Sequence, residues 1–309
     1  MSLGAVIDVG SNTVNLLIGN CLTGEILHDE SRVVGLGKDL KKNMEITAEA
    51  FTRLKGCLAV YSETMDRLLV PANQRQAIAT ETIRLAKNKA LFFGFMNSLG
   101  IKTEMISGEL EAELGFGASQ KFLSGLDFFD DEKMFVHIDI GGGSTEFAFG
   151  YKSSQKSLYS ISLPLGSVIL KDRFFKAGEL TNDSAISMRK FIREELKNID
   201  ESFRPETAVA VAGTATSLAR FNLKLKHFDP EKIQGYEFLF ADLENSMKEI
   251  LNTDMTDLIN SPYTDSSRAP VLPAGAILLN EMISFFELNS FFVSIFGIRH
   301  GRFLKTVTN

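Results

Sequence analysis

The apolar residues of this chain fall into short continuous runs and longer helical repeats that alternate along the sequence. The short runs are rich in β-branched residues and predict strands over 6–10, 76–80, 102–107, 207–212 and 291–296. Apolar positions at helical spacing predict helices over 46–69, 81–94, 180–203, 213–221 and 274–286, and a short helix ends the chain. Strands that alternate with helices are typical of an α/β fold with crossover helices. Residues 230–267 carry weak signals, and we assign no element there.

One part of this pattern occurs twice. An aspartate inside a β-branched run that ends in glycine is found as VIDVG around Asp8 and as HIDIG around Asp139. A small polar turn and a second apolar run follow each copy, which predicts a strand, a tight turn and a strand. When Asp8 is aligned with Asp139, Asn15 falls on Glu146. Duplication of one α/β unit is the simplest interpretation.

The length supports two domains. A chain of 309 residues is about twice the usual domain length of about 150 residues. We place the domains at 1–125 and 126–309, with the last short helix packing back on the first domain. Two domains of this kind are expected to enclose a cleft, which is where ligands of such proteins bind.

The composition is that of a folded globular protein, with 44% hydrophobic and 23% charged residues. A net charge of −6 argues against a nucleic-acid duplex as partner, because such binders need clustered positive charge. No apolar run approaches the roughly 18 residues that cross a bilayer, so we expect no membrane partner. The start MSLGAVIDVG enters a strand pattern without a basic leader, which favours a cytoplasmic protein.

The second copy of the turn has the chemistry of an anion site. The consecutive glycines Gly141, Gly142 and Gly143 allow backbone amides to turn toward one anion. The hydroxyls of Ser144 and Thr145 add donors. The carboxylates at the two ends of the loop, Asp139 and Glu146, are hard oxygen ligands suited to Mg²⁺. A glycine-rich hairpin without a ligand is the alternative, but the flanking carboxylates and the second copy favour binding.

Two further segments are candidates for the same anion. The turn of the first copy presents Ser11, Asn12 and Thr13 beside Asp8. Gly213 and Thr214 follow the strand predicted over 207–212 and open a helix, whose N-terminus attracts anions.

Other classes of catalytic site lack their motifs. The chain has no G-x-x-x-x-G-K-[ST] loop, no dinucleotide fingerprint after a strand and no G-x-S-x-G elbow. Its four histidines are scattered, which gives zinc chemistry no support, and Cys21 and Cys57 are interpreted as core thiols.

Taken in order, several motifs resemble those of the exopolyphosphatase/guanosine pentaphosphate phosphohydrolase family. They span nearly the whole chain, and the string DIGGGSTE is the most specific of them. The motifs are DVGSNT at 8–13, ATETIR at 79–84, ISG at 106–108 with Glu111-Ala112, DIGGGSTE at 139–146, Gly213-Thr214, and GIR at 297–299. The resemblance implies two ribonuclease-H-like domains of the actin, sugar-kinase and Hsp70 type that flank an interdomain cleft.

The same resemblance implies roles for several charged side chains. Glu111 matches the proposed catalytic glutamate that orients or deprotonates the attacking water, and Arg84 would clamp phosphate. Asp139 and Glu146, with Asp8, match the carboxylates that hold Mg²⁺ (or Mn²⁺) and position water. Glu146 could take the role of base instead, and the sequence does not separate the two glutamates.

The chain also departs from the family pattern. Leu110 stands where an acid usually precedes the glutamate, Gly35 where an arginine is common, and His300 where an acid follows Gly-Ile-Arg. These changes bear on the charge of the substrate channel and leave the catalytic set intact. They put substrate choice and the length of the preferred polymer in question.

The leading hypothesis is therefore metal-dependent hydrolysis of the terminal phosphoanhydride of inorganic polyphosphate or of a guanosine pentaphosphate alarmone, with water as nucleophile. Two alternatives remain, an ATP-dependent small-molecule kinase of the same fold and a polyphosphate or alarmone sensor without turnover. Phe285 and Phe286 could form a homodimer contact or belong to the core, and the core is favoured.

Overall fold

The computed structural model describes residues 2–37, 40, 44–127, 129–176 and 178–307. It divides the chain into two compact units, the first formed by Met1–Leu114 with Ile298–Asn309 and the second by Gly115–Gly297. The sequence had placed this division at residue 125, whereas the chain leaves the first unit inside a helix that begins at Gly108. The last helix belongs to the first unit.

Strands and helices alternate along the described chain. The strands are β1 (Leu3–Val9), β2 (Thr13–Asn20), β3 (Ile26–Val33), β4 (Arg75–Ala79), β5 (Lys102–Met105), β6 (Met134–Ile140), β7 (Thr145–Tyr151), β8 (Tyr159–Leu163), β9 (Thr207–Val211), β10 (Tyr236–Leu239) and β11 (Ser290–Val293). The helices are α1 (Ala48–Arg67), α2 (Glu81–Leu85), α3 (Lys89–Ser98), α4 (Gly108–Leu123), α5 (Ser167–Phe174), α6 (Asn182–Leu196), α7 (Ala212–Asn222), α8 (Pro230–Ile233), α9 (Phe240–Leu251), α10 (Met255–Asn260), α11 (Leu272–Phe285) and α12 (Ile298–Val307).

The first unit is a five-stranded sheet in the order β3-β2-β1-β4-β5. The first three strands are antiparallel neighbours, and β4 and β5 run parallel to β1. Helix α1 covers one face, and its Leu54, Leu58 and Tyr61 pack with Ile7 and Leu16 of the sheet. Helix α12 covers the other face. Because side chains alternate along a strand, the face under α12 is also the face of Asp8.

Each of these two helices contacts the first sheet through an aromatic side chain. The hydroxyl of Tyr61 donates to the carbonyl of Val14 over 2.8 Å, which ties α1 to β2. On the opposite face, Phe303 of α12 packs with Val6 and Leu17. The site face of this unit is therefore held by a helix from the far end of the sequence.

The second unit is a six-stranded sheet in the order β10-β11-β9-β6-β7-β8. Strands β6, β7 and β8 are antiparallel neighbours, and β9 runs parallel to β6. One face packs against α11, and almost every side chain of that helix is buried. The other face carries the C-terminal part of α4, where the Phe116 ring stacks on Phe135 with centroids 4.8 Å apart.

The duplication predicted from the sequence extends to the strand register. Asp8 lies opposite Asn15, and Asp139 lies opposite Glu146. The two turns close with equivalent hydrogen bonds, from the amide of Gly10 to the carbonyl of Thr13 over 3.0 Å and from Gly141 to Ser144 over 2.9 Å. The predicted α/β class with two ribonuclease-H-like units is confirmed.

Several predicted elements differ in detail. The helix predicted over 81–94 is broken into α2 and α3, because the Asn88 side chain exchanges hydrogen bonds with the backbone of Ile46 at 3.0 and 2.9 Å. Residues 230–267 contain α8, β10, α9 and α10. Helix α11 is a central buried helix, where the sequence analysis predicted an amphipathic one. Phe285 and Phe286 pack against the core of the second unit. No helix in the described ranges has the length and apolar character that crossing a bilayer requires.

Two buried histidines make the fold sensitive to acid. Burial lowers the pKa of His137 to about 3, and its Nδ1 lies 2.8 Å from the hydroxyl of Ser119. Burial and the charge of Arg299 lower the pKa of His300 to about 4. A histidine in the unfolded chain has a pKa of about 6.5, so the unfolded state binds protons more readily between these values.

We therefore expect the free energy of unfolding to fall as the pH drops from about 6.5 toward 4, by up to about 1.4 kcal/mol per pH unit for each histidine. Urea unfolding at pH 7.5, 6.0 and 5.0 measures this slope. His137→Gln should flatten the slope, whereas the same change at the exposed His227 should leave it as it is. Equal slopes for the two variants would contradict the assignment to His137.

Candidate active site

The first hairpin holds a buried carboxylate. Asp8, near the end of β1, is only 7% exposed, and the Asn15 side-chain amide donates to its Oδ2 over 2.8 Å. Burial raises the pKa of Asp8 to about 6, against the opposing effects of the Asn15 hydrogen bond and the Arg299 charge. Its Oδ1 is buried and accepts no hydrogen bond from any residue that the structure describes. A buried carboxylate oxygen of this kind suits a cation or an ordered water.

The turn after Asp8 is anchored through its carbonyls. The Ser11 carbonyl accepts from the amide of Gly37 over 2.8 Å, and the Asn12 carbonyl accepts from the amides of Val34 and Gly35 over 2.9 Å. Because the C=O and N–H of a planar trans peptide point in opposite directions, the amide of Asn12 points away from this anchor. The amides of Ser11 and Asn12 donate to none of the described residues. Anion binding by this turn remains a prediction.

The Ser11 hydroxyl and the Thr13 carbonyl already make hydrogen bonds within the fold. The Ser11 hydroxyl accepts a hydrogen bond from the Thr82 hydroxyl over 2.7 Å, and the Thr13 carbonyl closes the turn. Gly35, at the position where the family often has an arginine, has a φ of 64°. This left-handed conformation favours glycine and lets its amide reach the carbonyl of Asn12. Glycine at position 35, where the family often has an arginine, therefore helps to anchor the turn that follows Asp8.

The second turn is anchored to the N-terminus of α5. The Gly141 carbonyl accepts from the amide of Ser167 over 3.0 Å, and the Gly142 carbonyl accepts from Val168 and Ile169 over 3.0 and 3.1 Å. By the same peptide geometry, the amides of Gly142 and Gly143 point away from the helix. Neither donates to a described residue. A Cβ at Gly166 would overlap the Gly142 carbonyl, so only glycine permits this close approach.

The acidic residue of the second hairpin is enclosed by hydroxyls. Glu146 is 2% exposed, and its Oε1 accepts from the hydroxyls of Ser144 and Ser162 over 2.6 and 2.8 Å. The sequence analysis did not identify Ser162 of β8. Ser162 meets Glu146 only through the pairing of β7 with β8, which the sequence does not show. The hydroxyl of Thr145 donates to the Leu165 carbonyl over 2.5 Å and is fully buried, so it points into the core and away from the predicted anion.

The two acidic side chains of the second unit suit a magnesium ion. Asp139 and Glu146 lie directly opposite each other on β6 and β7, which puts both on one face of the sheet. In the described part of the chain, no three His, Cys, Asp or Glu side chains gather into a metal-binding group. Mg²⁺ is usually held by one or two carboxylates together with waters and substrate phosphates. The pair therefore fits such an ion, and Mg²⁺ remains a prediction.

Gly213 and Thr214 open helix α7, as predicted, and the structure adds an arginine to them. The guanidinium of Arg268 lies directly on Gly213, where a Cβ would overlap it. Burial lowers the pKa of Arg268, although Asp265 opposes the shift. The guanidinium donates no hydrogen bond to any described residue. Thr214 is buried and packs against Gly275 of α11. Sequence analysis missed Arg268, which is an isolated arginine before an apolar helix.

Arg84 and Glu111, the two catalytic candidates of the first unit, are both fixed in place. Nη1 of Arg84 donates to the carbonyl of Ile106 over 2.7 Å, which leaves the other guanidinium N–H groups without a described acceptor. Glu111 lies in the first turn of α4 and is 9% exposed. Its amide bonds to the Ser107 carbonyl over 2.9 Å.

The start of α4 packs on the same sheet face as Asp8. Leu110 and Leu114, on either side of Glu111, pack with Ile78. Ile78 is the neighbour of Asp8 in the register of β1 and β4, and neighbouring residues of adjacent strands share a face. The structure thus brings Glu111 and Asp8 to one side of the first sheet.

The beginning of α12 is attached to this face by a cluster of charges. Arg299 donates from Nε and Nη2 to the two Asp29 oxygens over 2.8 and 2.9 Å, and His300 Nε2 lies 3.2 Å from Asp29. Burial would raise the pKa of Asp29, but the bonds from His300 and Arg299 outweigh it and hold the pKa well below its usual range. His300, which replaces the family's usual acid, is therefore a buried partner of Asp29.

Comparison with known proteins points to one family. Residues 19–309 match the sequence model of the Ppx/GppA phosphatase family. Exopolyphosphatase 2 of Mycobacterium tuberculosis is 27% identical over 293 residues, which are 90% of this chain and 89% of that protein. The bifunctional 3-dehydroquinate synthase/phosphatase of Fusobacterium nucleatum is 29% identical over 320 residues, or 99% of this chain. The match spans only 47% of that longer enzyme.

Solved structures agree with this assignment. A Ppx/GppA family member from Aquifex aeolicus superposes with a TM-score of 0.83 at 26% identity, over 99% of this chain and 97% of the other. An exopolyphosphatase from Cytophaga hutchinsonii superposes with a TM-score of 0.88 at 25% identity, over 99% and 98% of the two chains. Because the family model covers nearly all of the sequence, the chain belongs to the Ppx/GppA phosphatase family.

Proposed function

We propose that this chain hydrolyses the terminal phosphoanhydride bond of inorganic polyphosphate, with water as nucleophile and Mg²⁺ as cofactor. Two relatives carry the name exopolyphosphatase, which makes polyphosphate the first substrate to test. Guanosine pentaphosphate, whose triphosphate has the same type of bond, is the second. The observation that carries the proposal is the turn that occurs once in each unit. In both copies the carbonyls are anchored by hydrogen bonds, and two successive amides donate to no described residue.

Phosphoryl transfer requires donors around the phosphate oxygens, a cation, and a group that aligns the nucleophile. In the first unit the amide of Asn12 and the guanidinium of Arg84 would supply donors, and in the second unit the amide of Gly143 and the guanidinium of Arg268 would do so. Asp139 and Glu146 would hold Mg²⁺, which neutralises charge on the phosphate oxygens when it is bound. Arginine is suited to this work because its planar fork makes two charge-assisted bonds to phosphate.

Glu111 is the better candidate for the residue that accepts a proton from water. Two hydroxyls donate to Oε1 of Glu146, so this oxygen is engaged in holding the carboxylate in place. Glu146 is then suited to hold a cation or orient water, whereas Glu111 is suited to take up the proton. The choice between the two glutamates, which the sequence left open, is tested by substitution below.

A phosphate-release assay tests the proposal. Tripolyphosphate, long-chain polyphosphate and guanosine pentaphosphate would each be incubated with the purified chain and Mg²⁺, and then with Mn²⁺. We expect orthophosphate from at least one of them. Tight binding without any release would favour the sensor. ADP formed from ATP only when a small-molecule acceptor is present would favour the kinase. Either result would overturn the proposed hydrolysis.

Arg268 provides a second test in the other half of the chain. Replacing it with Gln removes the charge but keeps a polar side chain, so we expect KM for polyphosphate to rise about tenfold or more. The control is Arg220→Gln, because Arg220 is occupied by the backbone carbonyls of Leu225, Lys226 and Pro262. Steady-state kinetics at saturating Mg²⁺ measures both. Unchanged KM in Arg268→Gln would remove Arg268 from the substrate site.

A further inference from the structure

Glu146 is held by hydroxyls from two different parts of the second unit. Ser144 belongs to the glycine-rich turn, whereas Ser162 lies on β8 directly opposite Glu146 in the strand register. Both hydroxyls donate to the same carboxylate oxygen, Oε1, at 2.6 and 2.8 Å. Glu146 is almost fully buried, so water does not replace these bonds easily. The conformation of the carboxylate is therefore set by Ser144 and Ser162 together.

Two donors on one oxygen have a definite chemical consequence. A carboxylate oxygen has two lone-pair positions in its plane, and two hydroxyls occupy both at Oε1. The carboxylate then cannot rotate without breaking a charge-assisted bond from Ser144 or Ser162. An unrestrained carboxylate would offer either oxygen. Ser162 thus limits Glu146 to one working orientation.

The first unit supports the specific role of Ser162. There the equivalent strand position is Ser31, opposite Asn15 on β3 and β2. Asn15 carries its own amide donor and uses it on Asp8. The serine position is thus common to both units, whereas the hydrogen bond from serine accompanies the carboxylate of the second unit. The hydrogen bond from Ser162 is therefore specific to the unit in which the opposite residue is a carboxylate.

We infer that Ser162 is a positioning residue for Glu146, because its hydroxyl holds Oε1 and so fixes the orientation of the carboxylate for the reaction. The inference rests on the proposed hydrolysis. Ser162 itself touches no substrate in this account. Its loss should leave substrate binding intact while the reaction slows, because the misplaced carboxylate affects the reacting geometry more than it affects binding.

Three variants test this role. Ser162→Ala should lower kcat for polyphosphate about tenfold or more, the loss expected for one hydrogen bond to a charged group, with KM within about twofold. Ser162→Thr keeps the hydroxyl and should restore kcat to within about threefold of the wild type. The control is Ser160→Ala, two residues earlier on the same face of β8, whose hydroxyl bonds to no described residue. It should leave kcat nearly unchanged.

A second measurement does not depend on turnover. Binding of Mn²⁺ alone, followed by the electron paramagnetic resonance signal of the free ion, should be about threefold or more weaker in Ser162→Ala than in Ser160→Ala. A wild type that releases no phosphate would refute the proposed function and leave this comparison to decide the role of Ser162. Equal Mn²⁺ affinity, equal kcat in the two alanine variants, or no recovery in Ser162→Thr would overturn the inference.

Discussion

Glu111→Gln is expected to lower kcat for phosphate release by about a thousandfold, within the range usual for loss of a general base. Glutamine keeps the size of the buried side chain and its position in the first turn of α4, but its amide cannot accept a proton from water. Because the substrate is held by other groups, KM should change little. A continuous phosphate assay with saturating Mg²⁺ gives both constants.

The matched control is Glu109→Gln. It makes the same chemical change two residues earlier on the same helix, at an exposed side chain. We expect this variant to retain nearly all of the wild-type kcat. Equal, small effects at Glu109 and Glu111 would show that Glu111 is not the base. Glu146→Gln would then be the variant in which activity is lost.

Glu281→Ala is expected to have the largest effect on stability, a loss of about 3 to 5 kcal/mol. Glu281 lies on the buried helix α11, is 3% exposed, and forms ion pairs with Arg189 and Arg193 of α6. Removing the carboxylate leaves Arg189 partly buried without its counter-charge, and such a group costs more than the lost attraction alone. Urea unfolding at pH 7.5 measures the change.

A surface ion pair of the same type serves as the control. Glu194 and Lys197 are 2.7 Å apart, with side chains 70% and 65% exposed, so Glu194→Ala should lower the free energy of unfolding far less than Glu281→Ala does. The second unit should unfold first in Glu281→Ala, because the buried pair joins two of its helices. If the two variants lost similar free energy, the buried pair would not be a major source of stability.

The hairpins β1-β2 and β6-β7 could be predicted from the sequence because their signal is local. An aspartate, a glycine turn and a second apolar run fall within about fifteen residues, and the strand period then fixes which side chains face each other. The register of Asp8 with Asn15 and of Asp139 with Glu146 follows directly. The two turns repeat even their closing hydrogen bonds.

The supporting residues could not be predicted because they come from distant or irregular segments. Ser162 reaches Glu146 through a strand pairing that the local pattern of residues 159–163 does not reveal. Strand β3 is exposed along most of its length and has no clean alternation. Arg268 meets Gly213 only when α11 has packed against α7, so nothing in its neighbourhood in the sequence marks it.

Errors at the helices also have physical causes. The predicted helix over 81–94 has continuous helical spacing, but Asn88, just before the second segment, exchanges hydrogen bonds with the distant backbone of Ile46. The segment 274–286 was interpreted as an amphipathic helix, whereas α11 is buried along nearly all of its length. In the structure Glu281 is buried because Arg189 and Arg193 compensate its charge. Periodicity does not reveal such compensation.

The most direct test of the account follows the oxygen of the nucleophile. Polyphosphate would be hydrolysed by the purified chain in water enriched in ¹⁸O, and the released orthophosphate analysed by mass spectrometry. Hydrolysis of the terminal bond by water predicts one ¹⁸O in each released phosphate at the first turnover and a polymer shortened by one unit. Release of unlabelled phosphate, or transfer of the phosphoryl group to an acceptor other than water, would contradict it.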